Sequence, residues 1–413
     1  MTTPYFRRDT CRLCGGAQLE AVVQLVPTPI GDDFVPAARL DKPQPACPLD
    51  LMLCRTCGHV QLLNVVDPEA IYREYTYVSS VSLGLVSHFQ AYAESVLQRV
   101  TPAPGALVVE IGSNEGAMLR AFQARGLRVL GVDPAREIAQ RATAAGIETW
   151  PTYFTVETAR QIRDKHGPAA IVVANNVMAN IDDVAEAVAG VRHLLAPDGI
   201  FVFETSYWLD VVEKSLLDTI FHEHLSYFAV GPLETFFRRQ GLGFMDVERV
   251  ATKGGSLRGF VQLAVGPWPT APAVADAIAR EEKAGLGRPE TYQALTADLQ
   301  RIKTSCLAQL SALKTQGKTI AAYGAAVGLT TMVYYFGLAP YLSFIVDDNP
   351  DKYHTFSPGH HLPVLPSAAL YGRRPDVVVI LAWRYAEPIL QKHGAFRKQG
   401  GQFMLLMPEV KVV

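Results

Sequence analysis

An apolar run, Ala106 to Ile111, breaks off at once into Gly112-Ser113-Asn114-Glu115-Gly116 and then into helix-forming residues up to Gln123. A strand, a glycine turn and a helix in that order open an α/β unit with a mostly parallel sheet. The alternation continues, because Arg128 to Val132, Ile171 to Ala174 and Ile200 to Phe203 have the length and β-branched content of buried strands. At the carboxyl end of such a sheet Gly112 lets a ligand approach the backbone. Asp133, about 20 residues further on, stands where an acidic side chain grips ribose hydroxyls. The second glycine of the dinucleotide pattern G-x-G-x-x-G is replaced by Asn114, which crowds a pyrophosphate. The reading therefore moves from NAD to S-adenosylmethionine, which has a ribose and a charged amino acid but no phosphate.

The strand-turn signature resembles that of the class I methyltransferases, E/D-x-G-x-x-x-G followed by an acid at the end of the second strand. Glu110, Gly112, Asn114, Gly116 and Asp133 become the cofactor candidates on that resemblance. Asn175 and Asn176, in the turn after the third strand, are placed in the gap between cofactor and substrate.

The 413 residues are long enough for two or three domains. A formal charge of -2 gives no general attraction to nucleic acid or anionic membrane, and neither is expected as a partner. No run approaches the roughly 18 apolar residues of a membrane span, so a soluble, cytoplasmic protein is expected. Residues 1–78 are turn-rich and interrupted by prolines, with too little periodic apolar pattern for a large core. Such a module needs a staple. Cys11 and Cys14 with Cys54 and Cys57 form two CxxC pairs, each followed by a glycine suited to a tight turn. Four converging thiolates make a closed tetrahedral zinc site, structural rather than catalytic; the alternative is a redox dithiol. Cys47 and Cys306 read as ordinary buried thiols.

The densest group of reactive side chains is Phe221-His222-Glu223-His224-Leu225-Ser226-Tyr227. A helical metalloprotease pair requires H-E-x-x-H, and these histidines are only two apart. Acid-base chemistry remains: an imidazole accepts a carbon-bound proton acidified by a neighbouring carbonyl. The plainer reading is a pair of histidines satisfied within a loop or helix cap.

The order of all these features resembles the sugar C-methyltransferases that act on nucleoside-diphosphate 4-keto-6-deoxyhexoses, and the resemblance covers nearly the full chain. It rests on the four cysteines, Gly112-Ser113-Asn114-Glu115-Gly116, His222-Glu223-His224, Gly254-Gly255-Ser256-Leu257-Arg258, and Tyr323-Gly324-Ala325-Ala326 with Asp347-Asp348-Asn349-Pro350. The resemblance implies three parts: a zinc domain over 1–78, an S-adenosylmethionine domain over 79–265 and a Rossmann-like domain over 266–413. It further implies that His224 removes the proton on carbon 3 of a 4-ketosugar and that the enolate carbon takes the methyl group. Glu223 orients or tunes the base, with His222 beside it. Tyr75 and Tyr77 are candidates to bind the sugar or its enolate oxygen, the plainer reading being aromatic packing at a domain junction. Phe221 and Asn180 stand where relatives often carry tyrosine and histidine. Both are counted among the substrate contacts, and both put the commonest reaction of the family in question.

In the third region Lys318 to Tyr323, Leu342 to Val346 and Asp376 to Ala382 are strands of a second Rossmann-like unit, preceded by a helical stretch from Ala271 to Gln316. Its turn after Tyr323, with Asp347 and Asn349, could receive the diphosphate of a dTDP-linked sugar, helped by Lys253, Ser256 and Arg258. A purely structural unit is the alternative. Two rival functions stay open. One is an NADPH-dependent 4-ketoreductase, alone or as a second activity as in bifunctional members of the family; the other is a zinc-containing binding module without turnover.

Overall fold

The computed structural model describes residues 5–72 and 84–413, so Tyr75 and Tyr77 lie outside the described residues. Three sheets carry the architecture. The first contains β1 (Leu19–Val23), β2 (Leu51–Cys54) and β3 (Val60–Leu62), all antiparallel. Helix α1 (Leu85–Arg99) then leads into the second, built on β4 (Leu107–Ile111), α2 (Ala117–Gln123), β5 (Arg128–Val132), β6 (Thr149–Trp150), β7 (Ala169–Asn175) and β8 (Leu195–Ser206).

A short strand, β9 (Ser226–Tyr227), follows the second sheet's fourth long strand but pairs with β3 of the first sheet. The second sheet is completed by β10 (Leu242–Val250) and β11 (Ser256–Leu263), giving the order β10-β11-β8-β7-β4-β5-β6. Its five central and far strands are parallel, and β10 and β11 are antiparallel. Four of the five parallel strands are the expected ones; β6 and the antiparallel edge, where Arg258 and Glu248 interrupt the apolar run, are not.

The helical stretch after the second sheet is two helices, Pro272–Ala284 and Pro289–Thr315, not one. Gly285, at φ 74, ends the first, and Pro289 starts the second with a φ already helical. The third sheet follows with β12 (Ile320–Tyr323), α3 (Gly328–Phe336), β13 (Ile345–Asp347), β14 (Val364–Pro366), β15 (Val377–Ile380), β16 (Gln402–Leu405) and β17 (Lys411–Val412). Its order is β14-β13-β12-β15-β16-β17, parallel except for the last strand. This is a doubly wound sheet, as expected.

Burial explains why these segments are strands. Every residue of β4 and β15 is buried, the pattern of strands covered on both faces. Each Val, Ile or Leu so enclosed stabilises by about 1.5–3 kcal/mol. The three regions are not beads on a string, because one continuous buried cluster runs from Cys11 and Leu51 through Phe203 and Trp208 to Ile345 and Met404. Among the described residues no helix is long and apolar enough to cross a membrane.

Candidate active site

The four cysteines converge. Cys11 and Cys57 place their sulfurs 3.6 Å apart, Cys14 and Cys54 do the same, and all four ligand atoms lie within 4.8 Å of one another. That is too long for a disulfide of about 2 Å, and close to the edge of about 3.8 Å for a tetrahedron with zinc–sulfur bonds near 2.3 Å. Gly15 and Gly58, at φ 73 and 77, make the knuckle turns. The donor set fits zinc, and four thiolates leave no position for a substrate. Cys47 and Cys306 are buried outside this cluster.

The module reaches the reactive loop through its sheet. Ser226 and Tyr227 pair with Gln61 and Val60, and the Leu62 amide donates to the Leu225 carbonyl at 2.9 Å. Buried Arg12 donates to the carbonyls of Leu62 and Leu225 and forms an ion pair with Asp182 at 2.9 Å. On the other side, the Leu225 amide donates to the Ala179 carbonyl at 2.7 Å. Segment 222–224 is thereby held beside the turn that follows β7, at the carboxyl edge of the second sheet.

That edge carries the cofactor candidates. Order reverses between β4 and β7, where ligands of doubly wound sheets bind. Gly112, at φ 68, packs against Val177 so closely that a Cβ would come within 2.9 Å of its side chain. Asp133 accepts from the amides of Asn114 (2.8 Å) and Ala135 (2.9 Å), which fixes the turn and orients its carboxylate. Asn114 and Asn176 both adopt left-handed φ, 49 and 53, and the Asn176 amide donates to the Glu204 carbonyl at 2.7 Å. Gly116 sits against Ile147 at the start of α2. Glu110 Oε2, Ser113 Oγ and both amide atoms of Asn175 are buried without a well-formed hydrogen bond. Burial raises the Glu110 pKa well above its ordinary value. Unsatisfied polar atoms at this edge, beside an oriented acid, fit a cofactor with a ribose and an amino group.

Within the loop, His224 Nδ1 lies 2.8 Å from the Thr219 carbonyl. A carbonyl only accepts, so Nδ1 carries the hydrogen and Nε2 the lone pair. Phe221 packs against the imidazole, its ring tilted by 35° with centroids 3.9 Å apart. Burial lowers the His224 pKa to about 3, with Lys253 and Arg384 adding in the same direction. The ring is neutral at pH 7. The group bonded to Nδ1 is the Thr219 carbonyl and not Glu223, so the orienting part of the role expected of Glu223 falls to Thr219. Burial, reinforced by Asp32, instead raises the Glu223 carboxyl to about 8. His222 faces the first region, with Nε2 3.1 Å from the Cys47 carbonyl and a pKa lowered to about 4 by burial. Asn180 donates to the Tyr72 hydroxyl at 2.8 Å, joining a tyrosine just ahead of the Tyr75 and Tyr77 segment to the reactive loop's neighbour.

Other expected substrate contacts are placed elsewhere. Arg258 donates to Glu204 at 2.8 and 3.0 Å, pairs with Glu248 at 3.2 Å and lies over the Tyr92 ring. Only 4% exposed, it is a structural cation of the sheet rather than a phosphate ligand. Ser256 is likewise buried, bonded to the Thr252 carbonyl. Lys253 does reach solvent, at φ 52 between Thr252 and two glycines of positive φ. The protein closes around it enough for desolvation to lower its pKa to about 8. Tyr323 bonds Asp348 at 2.7 Å and His393 at 3.2 Å, and Asn349 caps its own turn at Asp351. Asp347 accepts from the Ala325 and Asn349 amides. The helix start expected to receive a diphosphate is covered, because a Cβ on Gly328 would come within 2.1 Å of the Asp218 carbonyl.

Sequence reasoning missed Asp218, Thr219 and Arg384. Arg384 crosses from the third sheet to Asp218 at 2.8 Å, a contact between residues far apart in the chain with no local signature.

A doubly wound sheet with buried, unsatisfied polar groups at its carboxyl edge, a neutral imidazole held beside the turn after β7 and a four-thiolate cluster are the features a methyltransferase with a zinc module would carry. Family models agree: a zinc binding domain matches residues 11–72, a methyltransferase domain 86–245 and the C-methyltransferase C-terminal domain 251–408. The chain is 34% identical over 406 residues to the C-methyltransferase NovU of Streptomyces niveus, covering 98% of this chain and 97% of that one. It belongs to that C-methyltransferase family. Solved structures similar in part include the PH0226 protein of Pyrococcus horikoshii (14% identity, 46% of this chain and 97% of that one, TM-score 0.38). Another is the magnesium protoporphyrin IX methyltransferase of Synechocystis (14% identity, 43% and 81%, TM-score 0.32).

Proposed function

We propose that the protein methylates a carbon, C3, of a dTDP-linked 4-keto-6-deoxy- or 2,6-dideoxyhexose in antibiotic deoxysugar biosynthesis. The observation that carries the reading is the tautomer of His224, whose Nδ1–H is committed to Thr219 while Nε2 keeps its lone pair. Bound S-adenosylmethionine supplies an activated methyl group. Glu110, Gly112, Asp133 and Asn175 are the residues that would hold it. A ketone at carbon 4 acidifies the hydrogen on carbon 3, and a neutral imidazole at hydrogen-bond reach removes it, leaving an enolate carbon as nucleophile. Lys253, a cation beside this loop, supports the reading as a stabiliser of the oxygen that gains charge. Asn180 with Tyr72 supports it as a sugar-side polar pair. The division at about residues 78 and 265 belongs to the same proposal.

The test is mass spectrometry of a dTDP-4-keto-2,6-dideoxyhexose incubated with the protein in deuterated buffer, once with S-adenosylmethionine and once with NADPH. Gain of one methyl with the first cofactor supports the proposal. A sugar that gains neither methyl nor deuterium would remove this substrate class. The second reading, 4-ketoreduction, draws no support from the turn after Tyr323, where Gly328 at the helix start packs on the Asp218 carbonyl. The NADPH arm tests it directly.

A further inference from the structure

The start of α3 occupies the position that in a dinucleotide-binding unit faces a phosphate. Here it faces the segment just ahead of the reactive loop. Gly328 admits the Asp218 carbonyl at a distance no side chain would allow. One turn further on, buried Thr331 donates to the Ile220 carbonyl at 2.6 Å, and Arg384, after β15, donates to Asp218 at 2.8 Å. Segment 218–220 is therefore held at three successive residues, because Thr219 between them donates to Leu216 at 2.7 Å. The Thr219 carbonyl is the group that takes the His224 Nδ1 hydrogen.

We infer that α3 and Arg384 form a clamp that sets the catalytic base: by fixing segment 218–220 they fix the Thr219 carbonyl, and so the lone pair on His224 Nε2. Thr331 and Arg384 are positioning residues, since neither touches the imidazole through a hydrogen bond. The clamp gives the third sheet a part in the chemistry that needs no ligand of its own. A neutral imidazole unconstrained at Nδ1 divides between two tautomers, and only one presents a lone pair at Nε2. The inference rests on His224 being the base.

The experiment uses the full-length protein with zinc bound and four variants: Thr331→Val, Thr331→Ser, Arg384→Gln and His224→Gln. Three quantities are measured. They are deuterium exchange at carbon 3 of the dTDP-4-keto-2,6-dideoxyhexose without methyl donor, the Kd for S-adenosylhomocysteine, and the nitrogen NMR shifts of labelled histidine. Thr331→Val and Arg384→Gln should each slow exchange about tenfold, with KM for the sugar and Kd for S-adenosylhomocysteine within about twofold of the parent. Thr331→Ser should restore most of the rate. The His224 signal, a single Nδ1–H tautomer in the parent, should become a mixture in Thr331→Val. Wild-type exchange and an unmixed tautomer in both clamp variants, with exchange absent in His224→Gln, would overturn the clamp and keep the base. Exchange that persists in His224→Gln would overturn the base, and the tautomer signal alone would then decide the clamp. Loss of exchange together with S-adenosylhomocysteine affinity, not rescued by serine, marks an ordinary domain contact and also overturns it. Should Thr331→Val not fold, Arg384→Gln decides by its tautomer signal, because the charge it removes also acts on the His224 pKa and so on the rate.

Discussion

The second and third sheets use the same local device at their carboxyl edges and differ in what packs over it. In both, an acid at the end of the second strand accepts the amide of the preceding strand's turn and another two residues beyond itself: Asp133 from Asn114 and Ala135, Asp347 from Ala325 and Asn349. At the first edge Glu110, Ser113 and Asn175 keep buried polar atoms without a well-formed hydrogen bond. At the second, Tyr323 is bonded to Asp348 and His393, and the helix start is covered by Asp218. A glycine turn with a ribose-spaced acid is thus a way of building a strand-turn-helix corner. Whether it binds a nucleoside depends on what packs over it.

Paired substitutions should break the symmetry most sharply. Asp133→Ala should weaken S-adenosylhomocysteine about 10- to 100-fold by calorimetry, through lost contacts to a charged oxygen and a loosened turn. Asp347→Ala should leave that affinity within about twofold and lower Tm by a few degrees. Equal losses at the two positions would mean that both edges bind the cofactor.

Removing zinc tests the support under the first edge. Because β9 pairs with β3, chelation should lower both Tm and methyl transfer, and added zinc should restore them together. Full activity in the metal-free protein would separate the module from the loop. Gly328→Ala probes the covered edge. A methyl group placed within 2.1 Å of the Asp218 carbonyl must displace it, so stability should fall by about 1–3 kcal/mol in denaturant titration. An unchanged midpoint would show that the helix start is open after all.

The smallest effect is the pH dependence of the loop. His222 and His224 have folded pKa values lowered by burial from 6.5 to about 4 and about 3. As pH falls through 6.5 the unfolded chain binds protons first, so stability is full above that value and declines toward pH 4. Replacing His222 with asparagine should flatten part of the Tm decline between pH 7 and 5. An unaltered slope would assign the decline to other groups.

Much of this was legible in residue order. Apolar runs ending in glycine turns revealed both doubly wound sheets, and two CxxC pairs predicted a metal cluster that the fold closes to 3.6 Å. The antiparallel pair β10 and β11 was hidden because the buried Arg258 is compensated by Glu204 and Glu248 only across strands. Glu223 seemed the partner of His224 because it is adjacent in sequence. Adjacent residues in an irregular loop point in different directions, and the partner proved to be a backbone carbonyl five residues earlier.

The sequence by itself determined the chemistry available: thiolates for a metal, a glycine turn and acids for a nucleoside, an imidazole for a proton. Those are properties of residue type and short-range spacing, which a chain carries before it folds. Only the tertiary structure decided which of two similar turns keeps buried polar atoms unsatisfied and which nitrogen of His224 keeps its lone pair. Both depend on contacts such as Gly328 with Asp218 and Thr331 with Ile220, between residues about 110 apart whose proximity no local pattern encodes.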